Sequence, residues 1–216
     1  MLTYAIGDVH GCVDKLVRLL ARCRAHAGDR RRRLVFVGDY IDRGPDSRGV
    51  IETLLKLQRS EPEVICLRGN HEALMLDAVE SGDEALWLLN GGGETLESYD
   101  ATQALDLPAE LVDWADALPL FFDDGRRLFV HAGLNPRVPL DHQTEQDLLW
   151  IREPFLSSRN DFGRLVVHGH TPLRAGVPDL RSNRLNIDTA AVFGGPLTAA
   201  VFEEHRTEPV AFLTDE

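Results

Sequence analysis

Cysteine, methionine and aromatic residues are scarce in this chain, and positive charge is in deficit. The three cysteines, Cys12, Cys23 and Cys66, are odd in number and form no C-x-x-C pair. That excludes a disulfide framework and fits a reduced, cytoplasmic setting. Lys and Arg number 23 against 35 Asp and Glu, a formal charge of −12, which argues against sequence-blind binding to nucleic acid. No apolar run approaches the ~18–20 residues of a membrane span. Met1 leads straight into a strand-like segment, with no basic n-region and apolar h-region of a signal peptide. The expectation is a soluble protein without a membrane partner that stays where it is made. There is no G-x-S-x-G elbow and no Cys set beside Arg, so no protein nucleophile of either kind is on offer.

What is present is an ordinary globular composition, 44% hydrophobic and 27% charged over 216 residues, long enough to bury a sizeable core. Strand-like runs recur at Leu2–Ile6, Leu34–Val37, Val64–Leu67, Leu128–Val130, Leu165–Val167, Leu185–Ile187, Thr198–Phe202 and Val210–Leu213, several of them apolar throughout as strands covered on both faces should be. Helical spacing links Val13, Leu16, Val17 and Leu20, and again Leu111, Trp114, Ala115 and Leu118. A further helix is predicted around Val50, Ile51, Leu54 and Leu57, opened by Pro45-Asp46-Ser47, and another over Glu72 to Val79. The stretch 80–125 reads as helical, with Asn90-Gly91-Gly92-Gly93 as a break between two helices. The first half is thus β-α-β-α-β-α and the last quarter mostly strand, a mixed α/β chain with helices outside its sheets. No repeat or linker divides it, so a single domain over 1–216 is the economical reading. The one basic run, Arg30 to Arg33, reads as a solvated lead-in to a strand.

The chemistry is concentrated in six short polar words that end apolar runs. They are Gly7-Asp8-Val9-His10-Gly11, Gly38-Asp39-Tyr40-Ile41-Asp42-Arg43-Gly44, Arg68-Gly69-Asn70-His71-Glu72, His131-Ala132-Gly133, His168-Gly169-His170-Thr171 and Asn186-Ile187-Asp188-Thr189. Asp8, Asp39, Asn70, His131 and His170 each fall at or just past a strand's C-terminal end, the edge at which open α/β sheets bind ligands. Each residue alone is more simply a turn or a hydrogen bond; together they predict a dinuclear metal cage. Asp8 and His10, two apart on extended backbone, point the same way. The assignment is Asp8, His10 and Asp39 on one ion, and Asp39, Asn70, His131 and His170 on the other. Mixed oxygen and nitrogen ligands suit Mn²⁺, Fe or Zn²⁺ better than Ca²⁺. Two such ions ~3.5–4 Å apart clamp a phosphoryl group and lower the pKa of a bound water toward ~7, so that hydroxide attacks phosphorus in line.

Arg43 and Arg68 lie within one or two residues of these groups and read as guanidinium clamps for phosphate. Spacing leaves Arg152 open between a clamp and a helix-surface arginine. His71 is placed to give a proton to the leaving oxygen, with Asp42 holding its other ring nitrogen. His168 reads as structural, and His26, His142 and His205 as surface residues.

Asp8-Val9-His10, Gly38-Asp39 with Asp42-Arg43-Gly44, Gly69-Asn70-His71-Glu72, His131 and Gly169-His170 resemble the signature of the metallophosphoesterases. Within them the chain is similar to the PPP-type serine/threonine phosphatases of the bacteriophage lambda-type and bacterial branch. Trp87 to Gly93, Asp141-His142-Gln143 ahead of Trp150-Ile151-Arg152-Glu153, and Ala191-Val192-Phe193 near Leu197-Thr198 extend the resemblance, which covers about residues 4–202. It implies a four-layer α/β sandwich, two mixed β-sheets flanked by helices, with the metals at strand C-terminal ends. It implies a phosphoprotein phosphatase or broader phosphomonoesterase, two divalent ions with Mn²⁺ foremost, attack by metal-bound hydroxide, Arg152 as third phosphate contact, and Asp42 with His71 as a pair. The partners implied are a phosphorylated protein or small phosphoester, and a monomer is favoured. The rival is a symmetrical dinucleoside tetraphosphatase or a nucleotide phosphodiesterase of the same superfamily; the tetraphosphatases typically lack counterparts of Asp42 and Arg68 and run longer. A catalytically silent binding module would have lost a ligand or the acid, and none is lost. One departure stands out: Ala190 follows Asp188-Thr189 where the family usually has glycine, which costs about 1 kcal/mol if that position needs φ > 0.

Overall fold

The computed structural model describes residues 1–216. Ten strands form: β1 (Leu2–Ile6), β2 (Arg32–Phe36), β3 (Val64–Cys66), β4 (Phe121–Asp123), β5 (Arg127–Val130), β6 (Leu165–His168), β7 (Asp179–Leu180), β8 (Arg184–Asn186), β9 (Thr198–Glu203) and β10 (Ala211–Thr214). Seven helices accompany them: α1 (Val13–Ala27), α2 (Ser47–Ser60), α3 (Asn70–Ser81), α4 (Ala85–Leu89), α5 (Gly92–Ser98), α6 (Ala109–Asp116) and α7 (Glu145–Trp150). Every predicted strand and helix is present. The two strands that patterning missed, β4 and β7, are short edge strands of three and two residues, too brief to show a period.

Two five-stranded sheets result, in the orders β10-β9-β1-β2-β3 and β4-β5-β6-β8-β7. Each contains three parallel strands, β1-β2-β3 at one end of the first sheet and β5-β6-β8 in the middle of the second, and the remaining strands pair antiparallel. The side-chain period of two sorts the residues into layers. Ala5, Val35, Phe129, Val167, Ala200 and Phe202 point between the sheets and form one apolar layer. Their neighbours Tyr4, Ile6, Leu34, Phe36 and Val201 face the opposite way, onto α1, α2, α3 and α6. Leu128, Val130 and Val166 face out from the second sheet, under α7 and Phe155. The layers run helix, sheet, sheet, thin helical cover. Strands buried on both faces have to be apolar at every position, which is why periodicity found them so readily.

Asp46 caps α2, its side chain accepting from Gly49 N at 2.7 Å, as the Pro-Asp-Ser opening predicts. Gly91, at φ +101°, separates α4 from α5. One helix-face expectation is corrected: Val17 is 51% exposed, because α1 rests on the first sheet through Leu16, Leu19 and Cys23, a face turned slightly from the one Val17 shares. The Arg30–Arg33 run also has partners, Arg32 with Glu61 at 2.5 Å and Arg33 with Glu63 at 2.9 Å. His26 is no free surface residue either, lying 2.8 Å from the Tyr4 hydroxyl. No helix is long and apolar enough to cross a membrane.

Candidate metal centre

The parallel strands of both sheets end at one edge, and their exits are stitched together. Val9 N and His10 N donate to the Asp39 carbonyl, and Gly169 N donates to the His131 carbonyl. Gly69 and Gly169 stand where a Cβ would run into the carboxylates of Asp39 and Asp8. Five site residues take left-handed backbone: His10 (φ 45°), Asp39 (54°), Asp42 (71°), Arg43 (66°) and His170 (66°). Non-glycine residues seldom do so, and such strain concentrates where side chains must be aimed.

Asp39 lies at the centre. One oxygen is 3.4 Å from His10 Nε2 and 4.0 Å from His71 Nε2; the other is 3.4 Å from His131 Nε2. Two groups of ligand atoms therefore share it: His10, Asp39 and His71, and Asp39, His131 and His170, each within 4.8 Å. Asn70 Oδ1 joins the second group, 2.8 Å from both His131 Nε2 and His170 Nδ1. The second group matches the predicted set. In the first, His71 stands where Asp8 was expected. Asp8 is at the same edge, one oxygen accepting from His170 N at 2.9 Å and the other buried without a partner.

Electrostatics shows what the centre would hold. Burial pushes the Asp8 carboxyl well above its ordinary value, with Asp188 and Asp39 adding to the rise. Burial and Asp39 likewise hold Asp188 at about 6 and Glu72 at about 7, against the hydrogen bonds each accepts. Burial works against ionised Asp39 as well, but the surrounding imidazoles, His131 first, hold its carboxyl below the usual range. Burial depresses His10 to about 3 and His170 to about 2, and lowers His131, so these rings present free lone pairs. His10 Nδ1 and His131 Nδ1 donate to the carbonyls of Ile41 and Val37, both at 2.9 Å, which turns each Nε2 to face carboxylate oxygen with no proton between. Lone pairs converging among buried carboxylates call for cations. The donor set fits two divalent ions.

His71 behaves differently. Its Nδ1 donates to Asp42 at 2.7 Å, and its Nε2 is buried and unpartnered. Burial alone would lower its pKa, but Asp39 and Asp42 outweigh that and raise it. Asp42 is fully buried yet accepts from Trp87 Nε1 at 3.0 Å and from the Thr95 hydroxyl at 2.7 Å.

Arg43 Nη1 donates to His10 Nε2 at 3.0 Å. Arg152 lies two residues past the end of α7, so it is no helix-surface residue, and its charge bears on His131, His170 and Asp188. Arg68 lies on the rim but is held by Asp116, through its carbonyl and its carboxylate, and by Glu145 at 3.4 Å. His168 is buried against Phe155 at 5.0 Å and points to no ligand.

Three contributors were missed from sequence. Glu72 accepts from Gly69 N, Asp39 N and Tyr40 N at 2.8–3.0 Å, tying two of the polar words together; its signal was the three-residue spacing of a capping box. Asp188, to which its polar word gave no role, is buried and adds to the electrostatics of the centre with Asp8 and Asp39. Trp87 stands in a stretch that carries the family resemblance, but nothing local says that its indole N–H will reach Asp42.

With that geometry established, the model of the calcineurin-like phosphoesterases matches residues 1–202. The chain belongs to that family. This calcineurin-like phosphoesterase is 36% identical to serine/threonine-protein phosphatase 1 of Salmonella typhimurium over 206 residues, covering 91% of this chain and 90% of that one. It is 38% identical to a symmetrical bis(5'-nucleosyl)-tetraphosphatase of Dechloromonas aromatica over 139 residues, covering 63% of this chain but only 45% of that protein. A solved structure, that of a provisionally assigned diadenosine tetraphosphatase, superposes with a TM-score of 0.75 at 24% identity, covering 99% of this chain and 92% of that one. The chain is a metal-dependent hydrolase of this family.

Proposed function

We propose that this phosphoesterase hydrolyses phosphate monoesters, as a phosphoprotein phosphatase of the serine/threonine type or a broader phosphomonoesterase, and that it uses two divalent ions, Mn²⁺ foremost with Fe or Zn²⁺ as alternatives. The observation that carries the reading is the Asp42–His71 pair at 2.7 Å with His71 Nε2 left free. The bound ions supply Lewis-acid polarisation of the phosphoryl group and a water acidic enough to be a nucleophile near neutral pH. The remaining work belongs to the chain. Asp39, Asn70, His131, His170 and His10, with Asp8 beside them, hold the ions and fix where the phosphoryl group sits. Arg43, with Arg152 at the rim, neutralises its equatorial oxygens, in the way guanidinium forks match phosphate. A serine or threonine alkoxide is too basic to leave unprotonated. Protonated His71 gives the proton from Nε2, and Asp42 keeps the ring oriented and cationic. Trp87 and Thr95 hold Asp42 in turn.

Similarity over nine-tenths of both chains to a serine/threonine phosphatase supports this reading. The tetraphosphatase is the second reading, favoured by the comparable identity over a shorter span. Initial rates with Mn²⁺ on phosphoserine, phosphothreonine and phosphotyrosine peptides beside a dinucleoside tetraphosphate decide between them. Faster turnover of the phosphopeptides is expected. A tetraphosphate turned over far faster than any peptide overturns the protein-phosphatase reading.

A further inference from the structure

Beside the metal centre stands an exposed aromatic ring flanked by two guanidinium groups. Phe193 is 55% exposed. The Cζ of Arg43 and the Cζ of Arg174 both lie 5.9 Å from its ring centroid. Arg43 continues inward to His10 Nε2 at 3.0 Å. Arg174 is exposed and forms no ion pair or hydrogen bond with any acidic group of the protein. This contrasts with Arg68, which two acidic residues already engage.

The mount is rigid. Phe193 ends a short 3-10 turn, Ala191–Phe193, braced by Lys15 Nζ, which donates to the carbonyls of Ala191 at 2.9 Å and Gly195 at 2.5 Å. Ala190 N donates to Asp188 Oδ1 at 3.0 Å, which fixes the other end of the turn to the metal centre. The Arg174 loop leaves from His170 and is tied back by Leu173 N donating to the Asp188 carbonyl at 2.9 Å. Two cations are thus held over one ring on a chain whose net charge is −12. Ring faces attract guanidinium groups and shield one side of them from water, which strengthens whatever oxyanion the open side meets.

We propose that Arg174, oriented by Phe193, forms a second anion subsite that binds a negatively charged group of the substrate other than the phosphate being cleaved. Arg43 serves the scissile phosphate; Arg174, at the same distance from the same ring, takes the next oxyanion along, either a further phosphate of a polyphosphate chain or a carboxylate neighbouring the phosphorylated residue. Arg174 and Phe193 therefore set preference among substrates without entering the chemistry. The inference rests on the proposed function in placing the scissile phosphate at the metal centre.

Arg174→Gln and Arg174→Lys are compared with the unmodified protein on four substrates. These are p-nitrophenyl phosphate, a phosphoserine peptide flanked by alanine, the same peptide flanked by glutamate, and a dinucleoside tetraphosphate. Arg174→Gln is expected to raise KM about tenfold on at least one of the last two, with kcat held, while the first two change less than twofold. Which of the two multiply charged substrates suffers identifies the anion as carboxylate or phosphate. Arg174→Lys should keep part of the preference, since it keeps the charge and loses the fork. Uniform change across all four substrates, or none, overturns the proposal. Calorimetric titration with orthophosphate and with inorganic triphosphate reads the subsite without turnover. Arg174→Gln should weaken only the triphosphate, by about tenfold. If none of the four substrates is hydrolysed but this selective loss remains, the proposed function fails and the subsite stands; equal loss for both ligands, or none, removes the subsite.

Discussion

His71 is the residue on which the acid chemistry turns. Its ring is buried, which favours the neutral form, yet two carboxylates, Asp39 4.0 Å away and Asp42 at 2.7 Å, bring the proton back. A general acid works only while protonated, so a raised pKa keeps activity to higher pH. Asp42→Asn removes the second-named carboxylate and the charged acceptor. The alkaline limb of the kcat profile should then move to lower pH, with metal content unchanged. An unmoved limb, read alongside metal content by atomic absorption, would detach Asp42 from the acid. The same reasoning separates His71 from the ring of His10, which burial holds at about 3. That ring cannot carry a second proton near neutrality and serves as a ligand.

At the scale of elements, the turns matter more than the strands that feed them. The exits of β1, β2 and β6 place His10, Asp39 and His170, three of the proposed ligands, at positive φ. The backbone there is strained, and the stitching among the exits holds it in place. Ala190 shows the same strain with no ligand to justify it, at φ 62° and ψ 42°, the region where glycine is at ease. Ala190→Gly keeps the N–H that binds Asp188 and relieves the Cβ. It should stabilise the protein by about 1 kcal/mol, a rise of roughly 2–4 °C in Tm for a chain of this size, with rates unchanged within twofold. A lower Tm in calorimetry would show that Ala190 packs usefully enough to offset its strain.

At the scale of the whole molecule, the centre is a store of buried negative charge placed between two sheets. Asp8, Asp39, Asp188 and Glu72 are all at most 5% exposed. In metal-free protein, Asp188 at about 6 and Glu72 at about 7 lie above their unfolded values, and Asp8 is raised as well. The stability these groups confer is present below the unfolded carboxylate pKa of ~4 and is lost as pH rises through about 6 to 7. Bound cations remove that penalty and compete with protons for the same groups. Chelation should therefore lower Tm by roughly 10–20 °C if each of the two ions is bound at about a hundred times Kd, and the drop should be larger at pH 8 than at pH 6. A drop that is the same at both pH values, or larger at pH 6, would mean that these carboxylates do not face the ions.

Much of this protein was written in its sequence. Apolar runs marked eight of the ten strands because strands covered on both faces have no polar side to show. The ligands were legible because each stands just past such a run, where a parallel strand delivers it to the shared edge. Tertiary structure alone decided the rest. Glu72 and Asp188 became part of the centre through burial beside Asp39, and carboxylates look alike in sequence whether solvated or buried. Trp87 reached Asp42 across 45 residues through the placement of α4, which no local pattern encodes. Arg68 stood in the right word but found Asp116 and Glu145, while Arg174 stood in none and found an open ring. Ligand identity follows from local spacing and chain order; the charge each group carries, and what it faces, follow from three-dimensional proximity, because electrostatic energy depends on distance and burial and not on position along the chain.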